Sequence, residues 1–331
     1  MIRSAGFRST IDRALEVSIV GSFTRIGPAV RSRLFHWEPV AAYRMDGKIA
    51  VVSGATSGLG LVAATELARL GARVVLLARD RERAQKVIDV IASTGAVRPM
   101  VVVADMGDLA SVRRAAEQLQ ELTRIDVLIH NAGAMTQRLT LSPQGNELTV
   151  AVQLLGPFLL THLIGAQLQT HTSRVIFVTS GGMYAQPLDV EALHANAAGY
   201  KGVTTYARVK RAQMSLVEAW APRVASLGIT MTAMHPGWAD TPGIRASLPR
   251  FRRVVGPLLR TPEEGADTMV WLAAAPGAGT PPGSLWLDRR ARDAHRLERT
   301  RDSDTVAERA RLWAFCSERS GLSDDELAML S

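Results

Sequence analysis

Residues 48–79 read KIAVVSGATSGLGLVAATELARLGARVVLLAR. Ile49–Val52 is a short apolar run that reaches a turn holding Gly54, Gly58 and Gly60. Leu61, Ala64, Leu67, Ala68 and Leu70 then recur at helical spacing. Gly71 stops the helix and Ala72–Ala78 reads as a second buried strand, so the stretch predicts a β-α-β unit. Such units bind nucleotides, because glycines let the backbone approach a pyrophosphate and the free N–H groups of the new helix attract its charge. The spacing is Gly-x-x-x-Gly-x-Gly, not the general Gly-x-Gly-x-x-Gly fingerprint. Taken alone, the turn would equally serve close helix–strand packing.

The rest of the chain extends the alternation. Asp80–Thr94 predicts a charged amphipathic helix, 100–104 a strand ending at Asp105, 109–122 a helix and 126–129 a strand followed by Asn131-Ala132-Gly133. A long helical region follows over 145–169, then a strand over 174–179, a helix over 205–227, a strand over 229–234, a helix over 262–275 and a short strand over 284–287. The expected architecture is α/β: a Rossmann-like, doubly wound, seven-stranded, mostly parallel sheet with helices on both faces. Ligands bind at the carboxyl ends of such strands, where Asp105, Asn131, Ser180 and His235-Pro236-Gly237 fall. Residues 46–288 form the expected nucleotide-binding domain, preceded by a basic amphipathic segment (1–45) and followed by a charged tail (289–331). In that tail Leu312, Trp313 and Phe315 sit on a docking helix over 305–318.

A chain of 331 residues with 47% hydrophobic content can bury a large core. Its one cysteine, Cys316, excludes an internal disulfide and a cysteine-based zinc site, which fits a reducing, cytoplasmic setting. The net charge of +8 rests on arginine, since only Lys48, Lys86, Lys201 and Lys210 of the 39 basic residues are lysines. There is no nucleic-acid motif and no basic groove interleaved with aromatics, so no nucleic-acid partner is expected. Residues 1–45 hold no uncharged stretch near the ~20 residues of a spanning helix. Phe7, Ile11, Leu15, Ile19 and Phe23 recur there at helical intervals beside arginines. That pattern fits peripheral contact with the inner face of a membrane, and it equally fits a helix packed on the protein's own surface.

Of four tyrosines, Tyr206 alone is followed four residues later by lysine, Lys210. On a helix these share a face, so the ammonium is expected to lower the phenol's ordinary pKa of ~10 toward the range useful for proton transfer. Ser180, ending the preceding strand, can donate a hydrogen bond to a carbonyl or developing alkoxide.

Ser53-Gly54-x-x-x-Gly58-x-Gly60, Asp105, Asn131-Ala132-Gly133, Ser180, Tyr206-x-x-x-Lys210 and Pro236-Gly237 stand in the order found in the short-chain dehydrogenase/reductases, and residues 46–288 resemble that family. Thr179-Ser180-Gly181-Gly182-Met183 and the stretch from Met234 to Gly243 resemble more narrowly the group typified by member twelve of the dehydrogenase/reductase (SDR) series. The resemblance implies a nicotinamide cofactor along Ser53, Gly54, Thr56, Ser57, Gly58, Leu59 and Gly60. It puts Asp105 and Met106 near the adenine, Asn131, Ala132 and Gly133 near the adenine ribose, and Pro236, Gly237 and Thr241 along the nicotinamide half. Tyr206 would be the general acid/base, Lys210 would bind the nicotinamide ribose and Ser180 would hold the substrate oxygen. Gln153 stands where many members carry an asparagine that holds a water linking the lysine to solvent; its amide offers the same donors and acceptor on a longer arm.

Ala78-Arg79-Asp80 bears on the choice of dinucleotide. An arginine there pairs with a 2′-phosphate, so NADP(H) is favoured over NAD(H), with Asp80 read either as a ribose acceptor or as the N-cap of the next helix. Met183, Trp238, Ile244, Leu248 and Phe251 predict an apolar pocket for a small lipophilic alcohol, ketone or aldehyde. Arg245, Arg250, Arg252 and Arg253 read either as partners for a carboxylate or lipid headgroup or as a solvated basic loop. His194, His235 and His295 lack ligand spacing, so no metal is expected, and His130, where the family usually has asparagine, reads as a strand-end packing residue rather than a catalyst. The competing reading is a cofactor-binding or membrane-surface regulatory module that kept the fold and lost turnover; the oligomeric state stays open.

Overall fold

The computed structural model describes residues 2–169, 172–247 and 249–330. Its centre is a sheet of β1 (Ile49–Ser53), β2 (Arg73–Ala78), β3 (Met100–Val103), β4 (Val127–His130), β5 (Ser173–Val178), β6 (Ile229–Met234), β7 (Leu285–Leu287) and β8 (Arg290–Arg292). The spatial order is β3-β2-β1-β4-β5-β6-β7-β8, parallel from β3 to β7 and antiparallel at β8. The expected seven strands fall one short. Arg290-Ala291-Arg292 carries no apolar signal, and it pairs because Asp288 and Arg289, at φ 52° and 55°, make a two-residue hairpin turn.

Period-two alternation sends neighbouring residues of each strand to opposite layers. Val51, Val75, Leu128 and Phe177 pack under helices Leu109–Gln120, Gly156–Leu163 and Gly202–Val224. Ala50, Val52, Leu76 and Ile129 pack under Gly58–Arg69, Arg81–Ser93 and Pro262–Ala274. Helix Val306–Ser320 closes the first layer with Leu312, Phe315 and Cys316, and Trp313 meets Phe158 edge-on at 5.1 Å. The order runs outward in both directions from β1 and β4, so the crevice of such a sheet opens at their carboxyl ends.

The long helix expected over 145–169 is broken. Leu148–Val150 runs into a π-helical turn, Ala151–Leu155, before Gly156–Leu163 and Gly165–Gln169. Pro157 has no N–H to give the carbonyl of Gln153 four residues back, and Gly156 lies so close to the Met106 carbonyl that any Cβ would overlap it.

Residues 2–34 form α1 (Ile2–Val17), α2 (Ile19–Phe23) and α3 (Ile26–Leu34). Of the two readings of this segment, packing on the protein's own surface describes its inner side, and the packing is ionic. Arg31 is fully buried and donates to Asp12 at 2.8 Å, Glu16 at 2.9 Å and Asp288 at 2.6 Å. Asp288 also accepts from buried Arg260 at 2.7 and 3.0 Å, and Arg292 reaches Asp12 at 2.8 Å. Burial pushes the Asp12 carboxyl up, but hydrogen bonds and charge from Arg292 and Arg31 prevail and hold it below the usual carboxylate range. The outer side keeps Phe7, Val17, Ile19, Val20 and Ile26 exposed. Among the described residues no helix is long and apolar enough to cross a membrane.

Asp288→Asn leaves Arg31 and Arg260 buried without their shared countercharge. Chemical unfolding should report a loss of about 3–5 kcal/mol. The Asp12 contribution should be complete above the unfolded carboxylate pKa near 4 and fade as pH falls through the lower folded value, so Asp12→Asn should flatten the acid limb of the stability curve.

Candidate functional site

β1 ends at Ser53, and the chain turns through Gly54 at φ 65°, where a Cβ would lie 2.8 Å from Ala132 Cα. At Gly60 a Cβ would overlap both Asn131 Nδ2 and the Gly54 carbonyl oxygen. Ser53 Oγ accepts from the N–H groups of Asn131 and Ala132, each at 3.0 Å, and Asn131 Nδ2 donates to the carbonyls of Ser53 at 2.9 Å and Gly54 at 3.2 Å. The ends of β1 and β4 are thus one hydrogen-bonded unit, and much of the Asn131 amide is spent on the turn.

Helices Arg81–Ser93, Leu109–Gln120, Pro262–Ala274 and Val306–Ser320 are capped by the side chains of Asp80, Asp108, Thr261 and Thr305. Gly58–Arg69 starts at Ser57 without a side-chain cap among the described residues. The N–H groups of Gly58, Leu59 and Gly60 are therefore not spoken for by a cap, and Thr56 and Ser57 are partly open beside them. Thr241 and Pro242 approach from the far side, 3.6 and 3.5 Å from where a Gly58 Cβ would stand. An uncapped helix start, a side-chain-free floor and this opposite wall fit a dinucleotide pyrophosphate.

Toward the adenine side, Arg79 is exposed at the end of β2. Asp80 Oδ1 accepts from Arg83 N at 2.9 Å, so of its two readings the N-cap is the one realised. Asp105 is exposed and its Oδ1 accepts from Gly107 N at 2.9 Å, whereas Met106 is buried.

Ser180 follows β5 by two residues, its Oγ accepting from Gly182 N at 3.3 Å, and it stands close enough to the Tyr206 phenol of helix Gly202–Val224 to pull on its titration. The expected depression of that phenol by Lys210 is not what the geometry gives. Burial pushes the Tyr206 phenol up to about 12, against a smaller pull from Ser180. Lys210 Nζ sits 5.5 Å from the Tyr206 ring centre and donates to Val178 O at 2.7 Å and Gln213 Oε1 at 3.2 Å. Burial lowers the Lys210 ammonium to about 7.

Gln153 is buried but its amide does not reach Lys210. Nε2 donates to Ala134 O at 2.8 Å, and Oε1 has no partner among the described residues and faces Gly133. The connection runs instead through Gln213, whose Oε1 accepts from Lys210 and whose Nε2 donates at 2.9 Å to the Gln153 carbonyl that Pro157 leaves free. Two spacings signal it: Gln213 stands three residues after Lys210 on one helix face, and Pro157 four after Gln153.

The rim departs from expectation at several points. Met183 is fully buried in the core, with its carbonyl accepting from Arg211, so it does not face a pocket. Trp238 is partly buried, edge-on to Phe251 at 5.1 Å, and Ile244 is partly open nearby. Leu248 lies outside the described residues. Arg245 and Arg252 both chelate Asp240, holding its carboxyl down at about 2, so only Arg250 and Arg253 keep the role of unclaimed surface cations. Pro236 and Gly237 follow β6, and Gly237 takes φ 70°. His130, at the end of β4, donates or accepts with Thr161 Oγ1 at 2.8 Å and packs on Phe177 at 4.6 Å, with burial lowering its pKa to about 3. Remote from the crevice, folding brings His295 to Glu218 and Asp304, a convergence its sequence spacing did not signal. Arg309 already spans the two carboxylates.

The short chain dehydrogenase family model matches residues 48–250. The chain is 36% identical over 272 residues to dehydrogenase/reductase SDR family member 12 of Bos taurus, covering 81% of this chain and 85% of that protein. It is 33% identical over 312 residues to polyprenol dehydrogenase of Mus musculus, covering 90% and 91%. A Beutenbergia cavernae protein assigned as an NAD(P) dependent gluconate 5-dehydrogenase, crystallised with NADP at low occupancy, superposes with a TM-score of 0.62 at 28% identity, over 76% of this chain and 97% of that one.

A buried lysine titrating near 7 resists the proton that the unfolded chain takes up until about 10.5. Between those values the unfolded state holds more protons, so stability should rise with pH. Unfolding free energies of wild type and Lys210→Met, compared from pH 7 to 10, should converge or cross in favour of wild type as pH increases.

Proposed function

The chain belongs to the short-chain dehydrogenase/reductase family, an NAD(P)-dependent oxidoreductase acting on CH–OH groups, and from that premise we propose that it exchanges hydride between NADP(H) and a lipophilic alcohol, ketone or aldehyde. When bound, the nicotinamide supplies or accepts the hydride. The uncapped Gly58–Gly60 helix start would take the pyrophosphate, with Asp105, Met106, Asn131, Ala132 and Gly133 lining the adenosine half. Arg79 would pair with the 2′-phosphate, a role made easier because the neighbouring carboxylate of Asp80 is engaged as an N-cap. Pro236, Gly237 and Thr241 would border the nicotinamide half.

The observation that carries the reading is the Tyr206 phenol on helix Gly202–Val224 beside Ser180, just past the end of β5, with buried Lys210 one helical turn further on and its Nζ 5.5 Å from the Tyr206 ring. Ser180 would hold the substrate oxygen and Tyr206 would pass it a proton. A phenol at about 12 is protonated at neutral pH, which is the form competent to donate to a carbonyl oxygen. A lysine near 7 is readily recharged by an acceptor-rich ribose, and Gln213 and the Gln153 carbonyl fix where its ammonium points. Trp238, Ile244 and Phe251 supply the apolar rim that favours a lipophilic substrate, and the polyprenol dehydrogenase relative supports that class.

Purified protein given NADPH and a panel of hydrophobic aldehydes and ketones should oxidise the cofactor, and Tyr206→Phe should lower kcat by about 10²–10⁴-fold with NADPH affinity retained. Turnover equal to wild type in Tyr206→Phe would remove the mechanism. Arg79→Ala should raise KM for NADPH more than for NADH.

One observation favours a membrane-surface setting for this reaction. Val17, Ile19, Val20 and Ile26 are exposed on the N-terminal helices beside Arg13 and Arg25, an apolar and basic combination suited to anionic lipid. Flotation with phosphatidylserine vesicles should recover wild type, and a Val17→Ser/Ile19→Ser/Val20→Ser variant should stay in the dense fraction; equal recovery of both would retire the idea.

A further inference from the structure

We propose that the N-terminal helices brace the substrate pocket, with Phe23 as a positioning residue that sets substrate size preference through Trp238 and the loop after it; the size preference rests on the reaction proposed above, the brace does not. Phe23, at the end of α2, is buried beneath the catalytic loops and far in sequence from both. Its ring lies edge-on to Trp238 at 5.8 Å and to His235 at 4.7 Å, and parallel to Tyr184 at 6.2 Å. On the side of Ser180, a Cβ at Gly181 would stand 2.5 Å from Phe23 Cε2, so the residue after the serine is glycine because this ring fills the space. Phe23 therefore touches the loop after β5 and the loop after β6 at once.

The backbone of the same segment clamps both ends of the pocket loop. Phe23 O accepts from Trp238 N at 2.7 Å at the start of that loop, and Arg25 N donates to Leu258 O at 3.0 Å at its end. Arg260 then ties the clamp down. Its guanidinium donates to the carbonyls of Ser22 at 2.6 Å, Phe23 at 3.1 Å and Thr24 at 3.2 Å as well as to Asp288, while its own N–H donates to Trp238 O at 2.8 Å and its carbonyl accepts from Asp240 N at 2.9 Å. Gly237 lacks a side chain where Arg260 Nε and Phe23 O converge. Between the clamped ends run the residues that carry Phe251, whose ring meets the far edge of Trp238. Phe23, Trp238 and Phe251 form one aromatic row from the N-terminal helices to the pocket rim.

The mechanical consequence is that loop position, and so pocket width, follows from residues 22–25. Truncating Phe23 removes one wall of the Trp238 site and leaves the glycine turn, Tyr206 and Lys210 in place, so substrate affinity should change more than cofactor affinity, which draws on the loosened loop only at Thr241. Three measurements test this on the full chain. Hydrogen exchange, which needs no turnover, should show Phe23→Ala raising exchange at residues 238–260 at least tenfold while β1 and β4 amides stay at wild-type rates; unchanged exchange in 238–260 overturns the brace. Kinetics with carbonyl substrates of increasing length should show KM rising about tenfold for the longest with kcat within twofold, and Phe23→Leu recovering most of the loss. An equal loss across all lengths, or a loss of NADPH affinity as large as that for the longest substrate, overturns the positioning role. Gly181→Ala should be destabilised in the wild-type background and relieved by Phe23→Ala; failure of that rescue shows the two do not share the space. Wild type inert toward every carbonyl, with exchange responding as expected, would sink the proposed reaction and leave the brace standing.

Discussion

The steric constraint at the end of β1 governs everything that follows in this molecule. A helix can begin directly over the first strand only if no side chain stands between them, and Gly54 and Gly60 remove the two that would. Ser53-Gly54 and Asn131-Ala132 then use that closeness, sharing four hydrogen bonds that lock the carboxyl ends of β1 and β4 together. The helix that starts there has no side-chain cap among the described residues, so the packing requirement and the uncapped N–H groups fall at one point. Because β5 pairs with β4, fixing this point also fixes the end of β5, two residues before Ser180.

Across the crevice the chemistry depends on burial more than on charge pairing. Tyr206 and Lys210 share a helix face, yet desolvation moves them in opposite senses, the phenol up to about 12 and the ammonium down to about 7. Both shifts favour neutral groups, the state burial imposes on two polar side chains held in a protein wall. Lys210 is held by the Val178 carbonyl of β5 and by the side chain of Gln213 on its own helix, which donates in turn to a carbonyl freed by Pro157. A π-helical turn, a proline and a glutamine thus connect Lys210 to the Gln153 backbone, while the Gln153 side chain turns to Ala134.

The sheet was readable from sequence because parallel strands buried on both faces are apolar throughout, and their ends are marked by glycine, asparagine or serine. Tyr206, Lys210 and Ser180 were readable for a similar reason, since their spacing on one helix and one strand end is a local property. What escaped was set by distant contacts. Nothing local in Arg290-Ala291-Arg292 marks a strand, and β8 forms because Asp288 and Arg289 adopt the turn that their ion pairs hold in place. Met183 looked like a pocket residue beside Ser180, but the fully buried Arg211 guanidinium draws its carbonyl, and with it the whole turn, into the core. Arg245 and Arg252 looked like free cations until folding brought Asp240 between them.

The N-terminal segment joins these threads, because its apolar and charged residues divide the work in the reverse of the usual way. Several of its larger apolar side chains face outward, whereas Asp12, Arg31 and the network through Asp288 and Arg260 are buried. Buried ion pairs recover little net free energy against their desolvation cost, so this network is a poor source of stability. It is a good source of specificity: each guanidinium is satisfied in one register only, and a slip of a single residue would strand several charges in the interior. Apolar packing alone would tolerate such slips. A segment whose task is to hold Phe23 against Gly181 and Trp238 within a fraction of an ångström needs the first kind of attachment, and leaving the apolar residues outside frees them to meet a second surface without loosening the first.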